Sequence, residues 1–341
     1  MSSYLYRAFH ALPSLTNPQG EPTGALHGVL TMILKLVREE HPAHIAVVFD
    51  APGKTFRDDI YADYKATRPP MPDELRSQVQ PILDAVEAMG LPLLQVEGVE
   101  ADDVIGTLCA RAEERDMRVL VSTGDKDLAQ LVSDRVTLVN TMNDTRMDRD
   151  AVKAKFDVWP EQFIDYLGLV GDSSDNIPGV PKVGPKTASK WLNQYDSADG
   201  IIEHGEEIKG KVGESLRDNI ESLQLSRELA TIKTDVDLDL SIDDLDARER
   251  DVDALRSLYA RYDLRTLLRQ LDEQADPEPE KNAAAETDYE TVLDWQAFDA
   301  WLEKINGADL VAFDTETDSL DYMKAHLVGL SLAVADGEAC Y

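Results

Sequence analysis

Apolar residues recur along the first two-thirds of the chain in two alternating rhythms. Over residues 23–40 (TGALHGVLTMILKLVREE) they return every three or four positions, the spacing of an amphipathic helix. IAVVFD (45–50) is instead a continuous apolar run ending in an acid, as in a buried strand. A polar, basic stretch follows, then a helix near 73–89 that Gly90 stops. LPLLQVEGV (91–99) predicts a second strand and ADDVIGTLCARAEER (101–115) the helix after it. VLVSTGD (119–125) and VTLVNT (136–141) predict two further buried strands. This alternation predicts an α/β domain with a largely parallel sheet. Beyond about residue 150 the strand pattern fades, and short helices are expected to about residue 270.

The rhythm breaks at DEQADPEPEKNAAAETD (272–288), which carries Pro277 and Pro279 and little to bury. A flexible acidic linker is expected over 272–290. After it WQAFDAWLEKI (295–305) predicts a helix, LVAFDTE (310–316) a strand, and LVGLSLAVA (327–335) its hairpin partner. The expected division is 1–170, 171–271, the linker, and a short α/β unit over 291–341. About fifty residues would be an incomplete unit of that class.

Composition narrows the options. The 341 residues are 43% hydrophobic, enough for two or three domains with their own cores. No apolar run reaches the roughly 18–20 residues of a membrane span, so no membrane partner is expected. The N-terminus lacks a basic start and apolar stretch, unlike a secretory signal. Cys109 and Cys340 form no framework, and the six histidines do not cluster as zinc ligands would. A reduced, cytoplasmic, monomeric protein is expected.

Thirty-four bases against sixty-six acids give a charge of −32, which argues against a protein that coats nucleic acid. The charge is uneven, however. Residues 1–72 hold seven bases and seven acids, whereas residues 235–299 hold twenty acids and seven bases. A local basic patch or bound cations can still bring such a surface to DNA.

The acids fall at informative places. Asp50 ends the first strand run; Glu100, Asp102 and Asp103 follow the second. Asp125 and Asp127 follow the third, and Asp172 and Asp175 lie in the loop GDSSDN. In an open parallel sheet the carboxyl ends of the strands line one crevice. Eight carboxylates gathered there would repel unless neutralised. An all-oxygen ligand set suits Mg²⁺ or Mn²⁺, and two such ions roughly 3.5–4 Å apart support phosphodiester hydrolysis. A lone Asp after a strand is more often a helix cap or turn former, and Asp102 and Asp103 also gain from a helix dipole. Capping alone does not predict the same placement after three successive strands plus a loop pair.

Two segments fit nucleic acid. KTFRDDIYADYKATRPPMP (54–72) mixes Lys54, Arg57, Lys65 and Arg68 with Phe56, Tyr61 and Tyr64, cations for phosphates and aromatics for stacking. A solvated helix with a proline stop is the plainer alternative. GVPKVGPKTASKWL (179–192) has Gly179 and Gly184 flanking a turn and Pro185 at a first helical position. With Lys182, Lys186 and Lys190 it reads as a helix-hairpin-helix element, gripping duplex backbone through a helix N-terminus. A merely structural turn is the alternative.

Several longer motifs carry a family likeness: SSYLYRAFHA, VVFDAPGKTFR, YKATRPPMP, GVEADDVIGTL, VSTGDKDLAQL, GDSSDNIPGVPKVGPKTA and LATIKTDV. Residues 2 to about 270 resemble the 5′-nuclease domain of bacterial DNA polymerase I, kin of the flap endonucleases. The resemblance implies a PIN-like α/β domain followed by a helical subdomain with the hairpin element. It implies metal-site roles for Asp50, Glu100, Asp102, Asp103, Asp125, Asp127, Asp172 and Asp175, with Asp125 catalytically essential. Lys65 and Arg68 would steer the scissile phosphate, Tyr64 would stack on a base, and Arg7 would touch phosphate. Residues 54 to about 72 would lie near an arch that threads a 5′ single strand. Gly179, Lys182, Gly184, Lys186 and Thr187 would form the hairpin contact, where the family binds K⁺. The implied substrate is DNA with 5′ flaps, nicks or primers.

LVAFDTETDSL (310–320) resembles the first motif of a ribonuclease-H-like 3′–5′ exonuclease domain, with Asp314 and Glu316 as metal-site acids. The later acids of that site are not in the sequence, so no proofreading or synthesis is expected from these residues. The family also opens with a short strand ending Asp-Gly before the Ser-Ser-Tyr motif, where this sequence has Met1. An interior strand and one acid are therefore expected to be lacking, with looser sheet packing as the result. This leaves open a rival reading, docking on branched DNA without cutting it. A phosphatase-type hydrolase with Asp50 as nucleophile would want an acid two residues on, but position 52 is Pro52.

Overall fold

The computed structural model describes residues 2–11, 15–275, 288–308, 310–319, 324–335 and 338–341. The chain forms two compact units, Met1–Leu271 and Asp272–Tyr341. The first begins with helices α1 (Ser2–Ala11) and α2 (Gly24–Glu40), then β1 (Val47–Val48), α3 (Phe56–Ile60) and α4 (Asp73–Ala88). Next come β2 (Leu93–Leu94), α5 (Ala101–Glu114), β3 (Val119–Ser122), β4 (Val136–Asn140) and β5 (Thr145–Met147). The helical stretch follows as α6 (Arg149–Phe156), α7 (Phe163–Val170), α8 (Pro185–Tyr195), α9 (Ala198–Glu203), α10 (Gly210–Asp218) and α11 (Ile220–Ala230). It closes with α12 (Val252–Arg261) and α13 (Arg265–Ala275).

The helices form where the apolar spacing puts them. On α2 the buried side chains Leu26, Val29, Leu30 and Ile33 make one stripe, and His41 ends the helix in the left-handed region at φ 44°. The strand runs form shorter ladders than expected. IAVVFD pairs only at Val47↔Leu93 and Val48↔Leu94, in parallel. Single bonds from Val47 N to Pro92 O (2.8 Å) and Phe49 N to Leu94 O (2.9 Å) hold the flanking backbone alongside. β3 pairs with β4 in parallel from Val119↔Val136 to Ser122↔Val139, and β5 returns antiparallel.

The pairing is thus largely parallel, as expected, but the sheet is in two pieces rather than one, β1–β2 and β3–β4–β5. Among the described residues no strand joins them; instead α5 packs against both β1 and β3. Leu120 on β3 stays 38% exposed, in keeping with an incompletely covered strand.

Two large cores hold this unit, with two smaller clusters around Val48, Val104 and Leu238 and around Ala112, Ile242 and Leu245. One gathers Leu26, Leu30, Val47, Ile82 and Val86 with Leu255 and Leu267, so α12 and α13 pack back on the N-terminal helices. The other joins Val121 and Leu138 to Phe163, Leu169, Leu192 and Leu223, running across residue 170 without a break.

In the second unit β6 (Asp288–Glu290), α14 (Trp295–Gly307), β7 (Ala312–Thr317), β8 (Leu327–Ala335) and β9 (Glu338–Cys340) make a sheet of order β6–β9–β8–β7. The expected hairpin of β7 and β8 forms, antiparallel from Ala312↔Ala333. Trp301 is buried and donates its indole N–H to Glu290 Oε2 at 2.7 Å. The stretch 272–290 expected as linker is helical as far as Ala275 and strand from Asp288. The remainder of that linker, including Pro277 and Pro279, lies outside the described residues. Both cysteines are free and buried.

Gly90 joins the end of α4 to the segment that leads into α12. Its φ of +73° suits glycine, and its carbonyl accepts Arg248 N at 2.7 Å while Ala88 O accepts Asp251 N at 2.8 Å. A Cβ there would run into the Arg248 carbonyl. Gly90→Ala is expected to destabilise the first unit by about 1–3 kcal/mol. A thermal melt against the parent chain checks it, and an unchanged midpoint would remove this joint from the account.

Candidate active site

The fold draws the sequence-separated acids into two coupled groups that share Asp125. Asp50 sits just past β1, and its Oδ1 accepts Ala101 N at 2.9 Å, tying the strand end to the start of α5. Glu100 caps that helix and Asp102 stands in its first turn. After β3 the backbone folds tightly: Asp125 N donates to Thr123 Oγ1 at 2.9 Å, and Asp127 N to Asp125 Oδ1 at 3.0 Å. The loop between α7 and α8 is pinched by two bonds between Asp172 and Ile177, at 2.9 and 2.8 Å. Asp172 Oδ1 accepts Ser174 N at 2.7 Å within it.

Electrostatic coupling shows that these are neighbours. Burial first, then Asp125, Asp50 and Glu100, push Asp102 up to about 7. Burial first, then Asp125, raise Asp127 to about 8; Asp172 and Asp175 add to it while Lys126 opposes. Asp125 is common to both groups. Burial works to raise Asp172 as well, but the hydrogen bond and charge of Lys126, with the backbone amides of Ser174 and Asp175, together hold it below the usual carboxylate range. Lys126 Nζ lies 2.8 Å from Asp172 Oδ2.

Cations of the chain run through this acidic wall. Lys65, at a left-handed φ of 54°, places its ammonium on Glu100 and 3.7 Å from Asp175. Arg68 pairs with Asp175 and donates to Ser174 O at 3.2 Å. The turn carrying both is fastened to the acidic loop by Lys65 N to Asp175 O (2.9 Å) and Asn176 Nδ2 to Asp63 O (2.7 Å). Among the described residues no three acidic or histidine side chains close on a single point. Glu100, Asp172 and Asp175 are instead bridged to these ammonium and guanidinium groups. One observation fits a bound cation directly: Asp127 Oδ1 is buried with no hydrogen-bond partner among the described residues.

Four expected roles are corrected. Asp103 is fully buried, and its carboxylate accepts Arg57 Nη1 and Nη2 at 2.7 and 2.8 Å, Glu100 N at 2.9 Å and Lys233 N at 2.9 Å. Its lone-pair sites are filled, which leaves none for a metal. Arg57 is 2% exposed and is a structural partner rather than a contact for DNA. Tyr64 is buried, with its hydroxyl 3.3 Å from both Glu100 and Asp175, so its ring is not presented to a base. Gly179 (φ +63°) lacks a side chain because the backbone of Val170 and Gly171 fills the space, not to admit a phosphate.

The other expected contacts are outward. Arg7 is exposed, and its guanidinium donates to Gly124 O beside Asp125. Lys54, Lys182, Lys186 and Lys190 are exposed, Lys182 at a left-handed φ of 70°. Gly184 faces open space at the N-cap of α8, and its carbonyl accepts Thr187 N at 2.9 Å. In the second unit Asp314 and Glu316 are exposed on β7, and Asp314 Oδ1 accepts Thr315 N at 2.8 Å. Sequence reasoning missed Lys126, although a lysine between two site acids in TGDKD was the available sign.

Comparison with known proteins gives the family. Residues 1–157 match the 5′-3′ exonuclease N-terminal resolvase-like domain and residues 158–253 the 5′-3′ exonuclease C-terminal SAM fold. A 5′-3′ exonuclease of Aquifex aeolicus is 42% identical over 271 residues, 80% of this chain and 93% of that protein. The chain belongs to the 5′-3′ exonuclease family. Residues 289–341 match a 3′-5′ exonuclease domain. DNA polymerase I of Pseudomonas aeruginosa is 52% identical across 100% of this chain, which spans 39% of that protein. The chain therefore corresponds to the N-terminal region of a DNA polymerase I and to about two-fifths of its length. The fold matches T5 5′-exonuclease with bound zinc at TM-score 0.58 and 21% identity, covering 80% of this chain and 96% of that one. It also matches the catalytic core of Rad2 with a DNA substrate at TM-score 0.51 and 14% identity, over 80% and 89%. Among the described residues no helix is long and apolar enough to cross a membrane.

The raised acids give a stability signature. Asp102 and Asp127 have an ordinary carboxylate value of 3.8 and reach about 7 and about 8 in the fold. The folded chain thus holds protons that the unfolded chain has released, so this contribution is present at low pH and lost as pH rises through about 7 to 8. In chelator, the melting temperature of the parent should fall between pH 5 and 8.5. The Asp102→Asn/Asp127→Asn variant should show a flatter decline, and equal slopes would contradict the crowding.

Proposed function

We propose that the first unit is a divalent-metal-dependent 5′-nuclease that hydrolyses phosphodiesters of DNA at 5′ flaps, nicks and primers, as in primer removal and repair. The observation that carries it is the gathering of seven acids joined through Asp125, with a buried Asp127 oxygen that has no hydrogen-bond partner among the described residues. Two or more Mg²⁺ or Mn²⁺ ions suit this all-oxygen set: Asp50, Glu100, Asp102 and Asp125 at one end, Asp125, Asp127, Asp172 and Asp175 at the other. When bound, such ions supply a nucleophile at neutral pH and stabilise charge developing on the phosphate.

The chain's own cations orient the substrate. Lys65 and Arg68 are held at the cleft on Glu100 and Asp175, and a phosphate entering there competes for the same donors. Arg7 stands at the Asp125 turn, where it meets a neighbouring phosphate. Lys182, Lys186 and the N-terminus of α8 at Gly184 grip the duplex backbone without reading sequence. K⁺ at that turn belongs to the same proposal, as do a monomeric state and a cytoplasmic location. In the second unit Asp314 and Glu316 are proposed as the opening acids of a separate metal site.

The divided sheet favours a second reading, docking on branched DNA without cleavage. A 5′-flap DNA incubated with the chain and Mn²⁺ separates the two. Cleavage is expected, abolished by chelator and reduced by Asp125→Asn by roughly two orders of magnitude, the upper end of what losing even an outer-shell partner costs. Flap binding with no cut in any divalent ion would favour docking alone.

A further inference from the structure

The motif LATIKTDV (229–236) has no part in the cleft, yet its backbone is bonded to both elements that carry the acids. Arg57 donates Nε to Leu229 O and Nη2 to Thr231 O, both at 2.8 Å, while its fork grips Asp103 on α5. Lys233 N returns a bond to Asp103 Oδ1. On the other side Gln130, in the short helix Asp127–Leu131, donates to Ala230 O at 2.9 Å and accepts Ile232 N at 3.0 Å. Farther on, Val236 N donates to Thr107 Oγ1 at 3.1 Å. The segment lies so close to α5 that a Cβ on Gly106 would stand 2.6 Å from Ile232 Cγ2 and 2.7 Å from Lys233 O. Lys233 also lays its ammonium 3.8 Å from the Phe56 ring centroid.

We infer that residues 229–236, locked by the Arg57–Asp103 pair and Gln130, are a clasp that sets the register of Glu100 and Asp102 against Asp127. Arg57 and Asp103 are therefore positioning residues. Asp103 Oδ2 holds the Glu100 amide, and Arg57 Nη1 lies 3.7 Å from Glu100 Oε2, so both reach the cleft through Glu100. Removing one partner alone would bury an unpaired charge, whereas replacing both with apolar groups can leave stability nearly intact. That difference separates holding the fold from holding the acids.

The inference rests on the nuclease reading, and its test uses two readouts. Arg57→Met/Asp103→Leu and the milder Arg57→Lys are compared with the parent for melting temperature, Mn²⁺ binding by electron paramagnetic resonance, and flap cleavage. The expected result is a melting temperature near the parent's for at least one variant. That variant should lose roughly ten- to hundredfold in Mn²⁺ affinity and maximal cleavage rate, with half-saturating DNA unchanged within about twofold. A folded variant with parental Mn²⁺ affinity and rate would overturn the clasp. So would a rise in half-saturating DNA with the rate intact, which would return Arg57 to the DNA contacts. Failure of both variants to fold would make the pair a determinant of the fold alone. A parent that binds Mn²⁺ without cutting the flap would sink the nuclease reading, and the Mn²⁺ titrations would still decide the clasp.

Discussion

Carboxylates that face one another in a partly dry cleft repel, at about 4 kcal/mol for a pair 4 Å apart in surroundings of effective dielectric near 20. The first unit is organised around containing that repulsion. It uses three means at once. Lys126 neutralises Asp172, Lys65 bridges Glu100 to Asp175, and Arg68 pairs with Asp175. Backbone amides hold Asp50 and Asp125. Asp102 and Asp127 have neither in sufficient measure, and so they hold their protons to higher pH. A divalent ion held by these acids would relieve the same repulsion, and its binding would then be coupled to proton release.

The repulsion also explains why the walls of the cleft come from distant parts of the chain. Acids adjacent in sequence would have to be forced together by local backbone alone. Here α5, the turn after β3 and the loop after α7 each have their own packed support, and the second core runs from Val121 through Phe163 to Leu223 beneath them. The cost of crowding is thereby spread over a core that no single acid can open. The two-piece sheet is tolerable for the same reason, since α5 spans both pieces where strand ladders do not.

Much of this was legible in the sequence. The helices at 24–40, 73–88 and 101–114 lie within two residues of the expected ranges because their apolar stripes are long and periodic. The acids after strand runs were legible because strand ends share one side of a parallel sheet. Depth was not legible. Arg57 and Tyr64 sit in a segment whose Lys54 and Arg68 do face outward, and only the fold shows that these two turn in. Gly179 looked like a phosphate-binding glycine because a close approach to backbone and one to phosphate leave the same mark in sequence. The ladders were overestimated for a related reason. An apolar run reports burial, whereas a ladder needs a partner in register, and β1 finds one for only two residues.

Asp102 and Asp103 show most directly why neighbouring acids had to part. Successive residues on a helix turn by about 100°, so two adjacent carboxylates cannot line one face. Asp102 turns to the cleft, and Asp103 must then enter the protein, where an unpaired charge would be untenable. Residues three apart do share a face, so Asp103 lies back toward Glu100 and can accept its amide. What remains is to neutralise a buried carboxylate with a group that fills several acceptor sites at once. A planar guanidinium does this and an ammonium does not. The arginine of VVFDAPGKTFR is thus accounted for by the second acid of EADD, across forty-six positions of sequence, without appeal to any ligand.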